Sequence, residues 1–240
     1  MVRDKMKNEK YYIDYIEEEN ERIAKFESMV ELLTKNRGPN DKGVKKGNYH
    51  IYGLKFSKLT AMYSLGVSLE EIKEFYPEVV NIMEKAWNSD SGYVEMLWML
   101  SIGNMLKIDD KQFDRLVKLI EIQKVEDFLY DYLIQAKQTK NWQQITGNLL
   151  YETPYLTLKQ IIESNDKNYQ STTLKKYLEI DWYEGHDDMG WYASHNSKHD
   201  IYSGYWSFES GAIAQILKLN DNDLKNTTYY PYDMVHYQDN

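Results

Sequence analysis

The segment from Asp181 to Asp200 holds Glu184, His186, Asp187, Asp188, His195 and His199, and it is the best candidate for chemistry in this chain. His195 and His199 stand four apart, so a helix would put both imidazoles on one face, with Asp187 or Asp188 as a third metal ligand. That reading is a metal-dependent hydrolase using His186, His195 and His199. Two features oppose it. The spacing lacks the glutamate of a zincin helix, and Gly185, Gly190 and Asn196 interrupt the segment while Trp182, Tyr183, Trp191 and Tyr192 fill it. An ordered aromatic loop fits better. Acids flanking stiff aromatic anchors are the usual material of a tight protein interface. Glu184, Asp187, Asp188, Tyr183 and Trp191 are therefore the candidate partner contacts, and no residue is assigned a catalytic, metal-binding or cofactor-binding role.

A second group lies further along. At about 100° per residue, Trp206, Phe208, Ala212, Ile213, Ile216 and Leu217 share one arc of a helix, and Glu209 sits near its middle. A buried carboxylate must be paired, hydrogen-bonded or protonated. It could serve as an acid or base with a raised pKa, or pin the helix to its neighbours. The absence of a nearby nucleophile, and the favourable position of a glutamate in a first helical turn, point to the structural role, with phenol and indole donors satisfying its oxygens.

Other motifs come close and fail. Gly38 to Gly43 has the glycine spacing of a P-loop, but Val44 replaces the lysine and no strand precedes it. Ser207 and Ser210 lack the glycine frame of a nucleophile elbow. Asp221 and Asp223 begin a calcium-loop pattern that lacks its glycine and final glutamate.

Gly204-Tyr205-Trp206-Ser207-Phe208-Glu209, then Ala212 to Ala214, then Tyr229-Tyr230-Pro231-Tyr232-Asp233, resembles the C-terminal signature of PoNi-type bacterial immunity proteins, partners of the PoNe polymorphic nuclease effectors. Arg3-Asp4 leading into Tyr11-Tyr12 and a long charged helix is similar to the family's other half. The resemblance makes Gly204, Tyr205, Trp206, Phe208, Glu209, Tyr230 and Pro231 a structural signature. Ser210-Gly211 stands where small residues, mainly alanine, are expected, which implies looser packing there. The resemblance further implies a cytoplasmic protein that binds and silences a cognate DNase toxin without catalysis of its own. A helical regulatory scaffold with no toxin partner is the other non-enzymatic reading.

Helical periodicity must position these groups. Ile13, Ile16, Ile23, Phe26, Val30 and Leu33 mark a helix from about Arg3 to Lys35 with Glu17, Glu18, Glu21 and Arg22 outward. A basic, mobile loop is expected from Asn36 to Asn48. Further helices are expected at 51–65, 69–87, 92–106, 110–122, 125–136, 158–163, 172–178 and 206–217. Ser68/Glu71, Asp109/Gln112 and Thr157/Gln160 resemble capping boxes. The fold class is all-α, a multi-helix bundle of two packed helical halves, residues 1–124 and 125–240, the second rich in aromatics.

With 240 residues, 42% of them hydrophobic and only 4 prolines, the chain is globular. It has no cysteine, which removes disulfides and thiolate metal sites. No signal-like run follows the first charges and no stretch approaches a membrane span, so a cytoplasmic protein is expected. A net charge of -9 disfavours direct nucleic-acid binding and favours a basic partner. That partner would be held one-to-one or by a homo-oligomer.

Overall fold

Asn8 begins the first helix. In the computed structural model, which describes residues 1–139 and 142–238, its side chain accepts from the Tyr11 N–H and α1 runs Glu9–Arg37. Arg3 and Asp4 precede the helix: the Arg3 guanidinium donates to the Tyr63 and Val67 carbonyls, and Asp4 accepts from the Tyr202 hydroxyl. The inward face is the expected one from Ile16 through Ile23, Phe26 and Val30 to Leu33, and departs from it only at Ile13. Tyr12, Tyr15, Glu19 and Ile23 are buried, while Ile13 is 42% exposed. Glu17, Glu18 and Glu21 face solvent as expected.

The expected loop at 36–48 is mostly helix. Asp41 accepts from the Gly43 N–H and starts α2, Lys42–Leu65, directly. Tertiary packing outweighs the poor helix propensity of glycine here, because a methyl group on Gly47 would come within 2.3 Å of Val30 Cγ2 and one on Gly43 within 3.3 Å of Leu33 Cδ1. The two glycines let α1 and α2 approach. Ser68 caps α3, Leu69–Ala86: its hydroxyl accepts from the Glu71 N–H at 3.2 Å and donates to Glu71 Oε2 at 2.6 Å, side chain to side chain where a full capping box would return to the Ser68 N–H. Lys55 on α2 joins the three helices through Glu27 at 2.8 Å and Glu78 at 3.0 Å.

The described residues form two compact units. The first comprises residues 1–92 with 193–205, and the second the described residues of 93–192 with 206–238. In the first, Tyr11 ties the later segment down: its hydroxyl donates to the Tyr202 carbonyl at 2.9 Å and accepts from the Tyr202 N–H at 3.0 Å.

In the second unit the apolar run around Val94–Leu100 becomes α4, Tyr93–Met105, almost wholly buried. α5 (Asp110–Gln123) starts from the Asp109 cap. α6 (Phe128–Gln138) starts from Asp127, whose Oδ1 accepts from the Leu129 and Tyr130 N–H groups. α7 (Leu156–Glu163) begins without the Thr157 box, since Tyr155 precedes it and no side chain caps it. α8 (Lys167–Lys176) continues through a π-helical turn, Tyr177–Asp181, into α9, Trp182–Glu184. α10 (Phe208–Leu217) packs on α4, and the short α11 (Tyr232–Val235) packs on α10. The fold is all-α, with no strand among the described residues, and none of its helices there is long and apolar enough to cross a membrane.

Candidate functional site

Ser207 ends the extended approach to α10, its N–H donating to the Tyr229 carbonyl at 2.8 Å. Trp206, expected in the helix, stands before it, because Phe208 is the first helical residue. Glu209 then enters a fully enclosed site. Its Oε1 accepts from the Trp182 indole at 2.7 Å and the Ser207 hydroxyl at 2.8 Å. Since the Ser207 proton goes to the carboxyl, the Ser210 hydroxyl 2.6 Å away is the donor to Ser207. Oε2 has no partner within hydrogen-bond distance. Burial pushes the Glu209 pKa up to about 7, against the pull of its own backbone N–H and the Ser207, Trp182 and Trp98 donors. The Trp98 indole and the Tyr177 hydroxyl also lie close enough to interact with the carboxyl, so its surroundings hold further donors as well as rings.

That shell is aromatic. The Trp182 ring stacks on Trp191 at 5.6 Å, and Trp98 meets Phe208 edge-on at 5.8 Å. Two further carboxyls with raised pKa values lie in this unit, the half-buried Glu95 and the buried Asp127. Glu95 interrupts the apolar run of α4, and burial raises its pKa to about 7. Asp127 is raised by the same cause, although Tyr93, Leu129, Tyr130 and Leu150 all donate to it. Glu95 stood in the sequence as the charge that breaks an apolar run, whereas Asp127 stood after Glu126 and carried no signal beyond that of a helix cap.

The signature residues divide between packing roles. Gly204 has φ +120°, open to glycine. In the first unit the Tyr205 hydroxyl accepts from the His195 N–H at 3.1 Å and lies 2.9 Å from His195 Nδ1. In the second, the Tyr230 hydroxyl donates to Asp221 at 2.7 Å, and Pro231 lies before α11. Packing at Gly211 is tight rather than loose: a methyl group there would come within 2.6 Å of Pro231 Cγ, 2.9 Å of Met105 Sδ and 3.0 Å of Val235 Cγ2. Gly211→Ala should therefore destabilise the protein by about 1–3 kcal/mol despite the better helix propensity of alanine. Urea unfolding checks this, and a gain in stability would show that Pro231 yields easily.

The three histidines are not brought together as ligands. His186 is buried, with Nδ1 donating to the Trp182 carbonyl at 2.5 Å and Nε2 accepting from the Tyr155 hydroxyl at 2.8 Å. Both nitrogens are occupied and burial lowers its pKa. The helix that would pair His195 with His199 does not form, since only Ser194–Asn196 makes a 3-10 turn. No group of three or more His, Asp or Glu side chains among the described residues is placed to hold a metal ion.

The candidate contact residues lie in α9, which holds Tyr183 and Glu184, and on the turns that follow it, which hold Asp187, Asp188 and Trp191. Glu184, Asp187 and Asp188 are exposed. The Tyr183 ring stacks on Tyr192 at 4.5 Å, and the Tyr192 hydroxyl donates to Glu184 at 3.2 Å. Trp191 is half-buried, 5.2 Å from His186. The aromatics thus hold one side of an acidic turn rigid.

Comparison with known families adds the decisive observation. A family model described as the PoNe immunity protein (PoNi) N-terminal region matches residues 3–118, and its C-terminal counterpart matches residues 125–234. The chain belongs to the PoNe immunity proteins. The PoNi C-terminal match spans α6 to α11 and so includes both the Glu209 site and the acidic turn. A crystal structure of protein PA2201 from Pseudomonas aeruginosa shares the fold, with a TM-score of 0.58 and 16% identity over 84% of this chain and 82% of that one. No curated protein matches the chain.

Proposed function

We propose that this PoNe immunity protein binds a cognate PoNe-type DNase toxin in the cytoplasm and silences it by occlusion, without catalysis of its own. The match of both family regions along nearly the whole chain is the observation that carries this reading. A DNase must present cationic groups to phosphate, and a protein of net charge -9 is suited to meet them. We place the contact at Glu184, Asp187 and Asp188, supported by the rigid Tyr183/Tyr192 pair and by Trp191 beneath the turn. The division at residue 124 into an N-terminal and a C-terminal half belongs to the same proposal.

Co-expression is the test in cells. The chain should rescue cells producing the nuclease encoded beside it, and should fail against a diverged nuclease of the same family, because a few anchors and mismatched charges set discrimination. Killing that continues undiminished with the neighbouring nuclease would sink the assignment. Reversing Glu184, Asp187 and Asp188 to lysine should slow association by roughly ten-fold or more at low salt and flatten its salt dependence. Stopped-flow association with a normally folded triple variant checks this. Unchanged kinetics would move the contact to another surface, the exposed Glu17, Glu18 and Glu21 face of α1 being next.

A further inference from the structure

The first unit carries a groove that the toxin-binding account does not use. It measures about 800 Å³, within the range of small-ligand pockets, and it is lined by one face of α2, from Lys45 and Lys46 through Tyr49, His50 and Gly53 to Ser57, with Lys85 and Asn88 at the end of α3. In an acidic protein this lining contains three lysines and no carboxylate. Among the described residues none of the three forms an ion pair, whereas Lys55 on the same helix is held by both Glu27 and Glu78. Like charges left unneutralised in a concave site call for an anion.

The remaining lining defines the anion further. Tyr49 is half exposed at 50%, so its ring offers a flat apolar platform. His50 is fixed edge-on to Phe26 at 4.2 Å, and Ser57 and Asn88 add neutral polar groups. Gly53 lies inside α2, where glycine is among the poorest residues. Unlike Gly43 and Gly47, it is not explained by helix packing, since a methyl group there would meet nothing within 4 Å. The open space above it belongs to the groove.

We propose that this groove binds a nucleoside phosphate, with the base against Tyr49 over Gly53 and the phosphates held by Lys45, Lys46 and Lys85. Lysine is a common phosphate ligand, and aromatic faces stack on any base. The same chemistry could come from a free nucleotide or from the end of a nucleic-acid strand.

Calorimetric titration of the full chain with ATP, with pyrophosphate and with a 5′-phosphorylated single-stranded hexanucleotide tests the site. ATP or the hexanucleotide should bind, the tighter of the two identifying the source. Lys45→Gln/Lys46→Gln/Lys85→Gln should weaken binding by about ten-fold or more, the loss typical of a missing charge-assisted contact. Tyr49→Ala should weaken the nucleotide by about five-fold or more, the scale of one lost base stack, and leave pyrophosphate unchanged. Gly53→Leu fills the groove without altering charge, so it should abolish binding while leaving unfolding unchanged or later. No binding of either nucleotide, binding indifferent to the lysine variant or to Gly53→Leu, or capture of a polyglutamate peptide in place of nucleotides would overturn the proposal.

Discussion

Glu209→Ala is expected to lower the unfolding free energy by roughly 1–3 kcal/mol, the cost of stranding a buried donor, because the Trp182 indole and the Ser207 hydroxyl both donate to Oε1 at 2.7 and 2.8 Å. The truncation also leaves a void beneath α10, adding to the loss. Glu209→Gln retains an acceptor where Oε1 stands and should recover most of the stability at neutral pH. Equilibrium unfolding in urea separates the two variants. An alanine variant as stable as the parent would mean that this carboxyl holds nothing together.

The second large effect is a pH dependence opposite to ordinary acid denaturation. Glu209 and Glu95 are both pushed by burial from the ordinary 4.5 to about 7. Below pH 4.5 each is protonated in both folded and unfolded chains, and its contribution is fully present. As pH rises the unfolded chain releases these protons first, so stability falls until the folded pKa is passed. Each group is worth on the order of 3 kcal/mol across that window. The parent should therefore lose stability between pH 5 and 8 relative to a Glu209→Gln/Glu95→Gln variant. The constant cost of each substitution cancels in the slope. Parallel stability profiles for the two proteins would rule out protonated buried carboxyls in the native state.

What could be read from the sequence was local spacing. Ser68 with Glu71 and Asp109 with Gln112 announce helix starts because a cap and its partner lie within one turn. Glu209 stood out because an acid on an apolar arc needs donors, and Trp182 and Ser207 supply them. Tertiary contacts hid the rest. Gly43 and Gly47 carry loop propensity yet serve helix contact with Leu33 and Val30. At the start of α1, Tyr12 and Tyr15 take the core positions and Ile13 is left exposed, a choice that hydrophobicity alone cannot rank. Thr157 resembles a cap, but α7 has already begun at Leu156. The spacing of His195 and His199 promised a shared face only if a helix formed, and the chain there makes a single 3-10 turn. Partner surfaces follow no period, so Glu184, Asp187 and Asp188 were legible only as acids beside aromatics.

The central claim is that this chain binds and silences a PoNe-type DNase. The most direct measurement is DNA cleavage by the purified nuclease domain encoded beside it, titrated with the purified chain. Cleavage should fall in proportion to added chain and vanish near equivalence. Full cleavage with the chain in excess would contradict the claim.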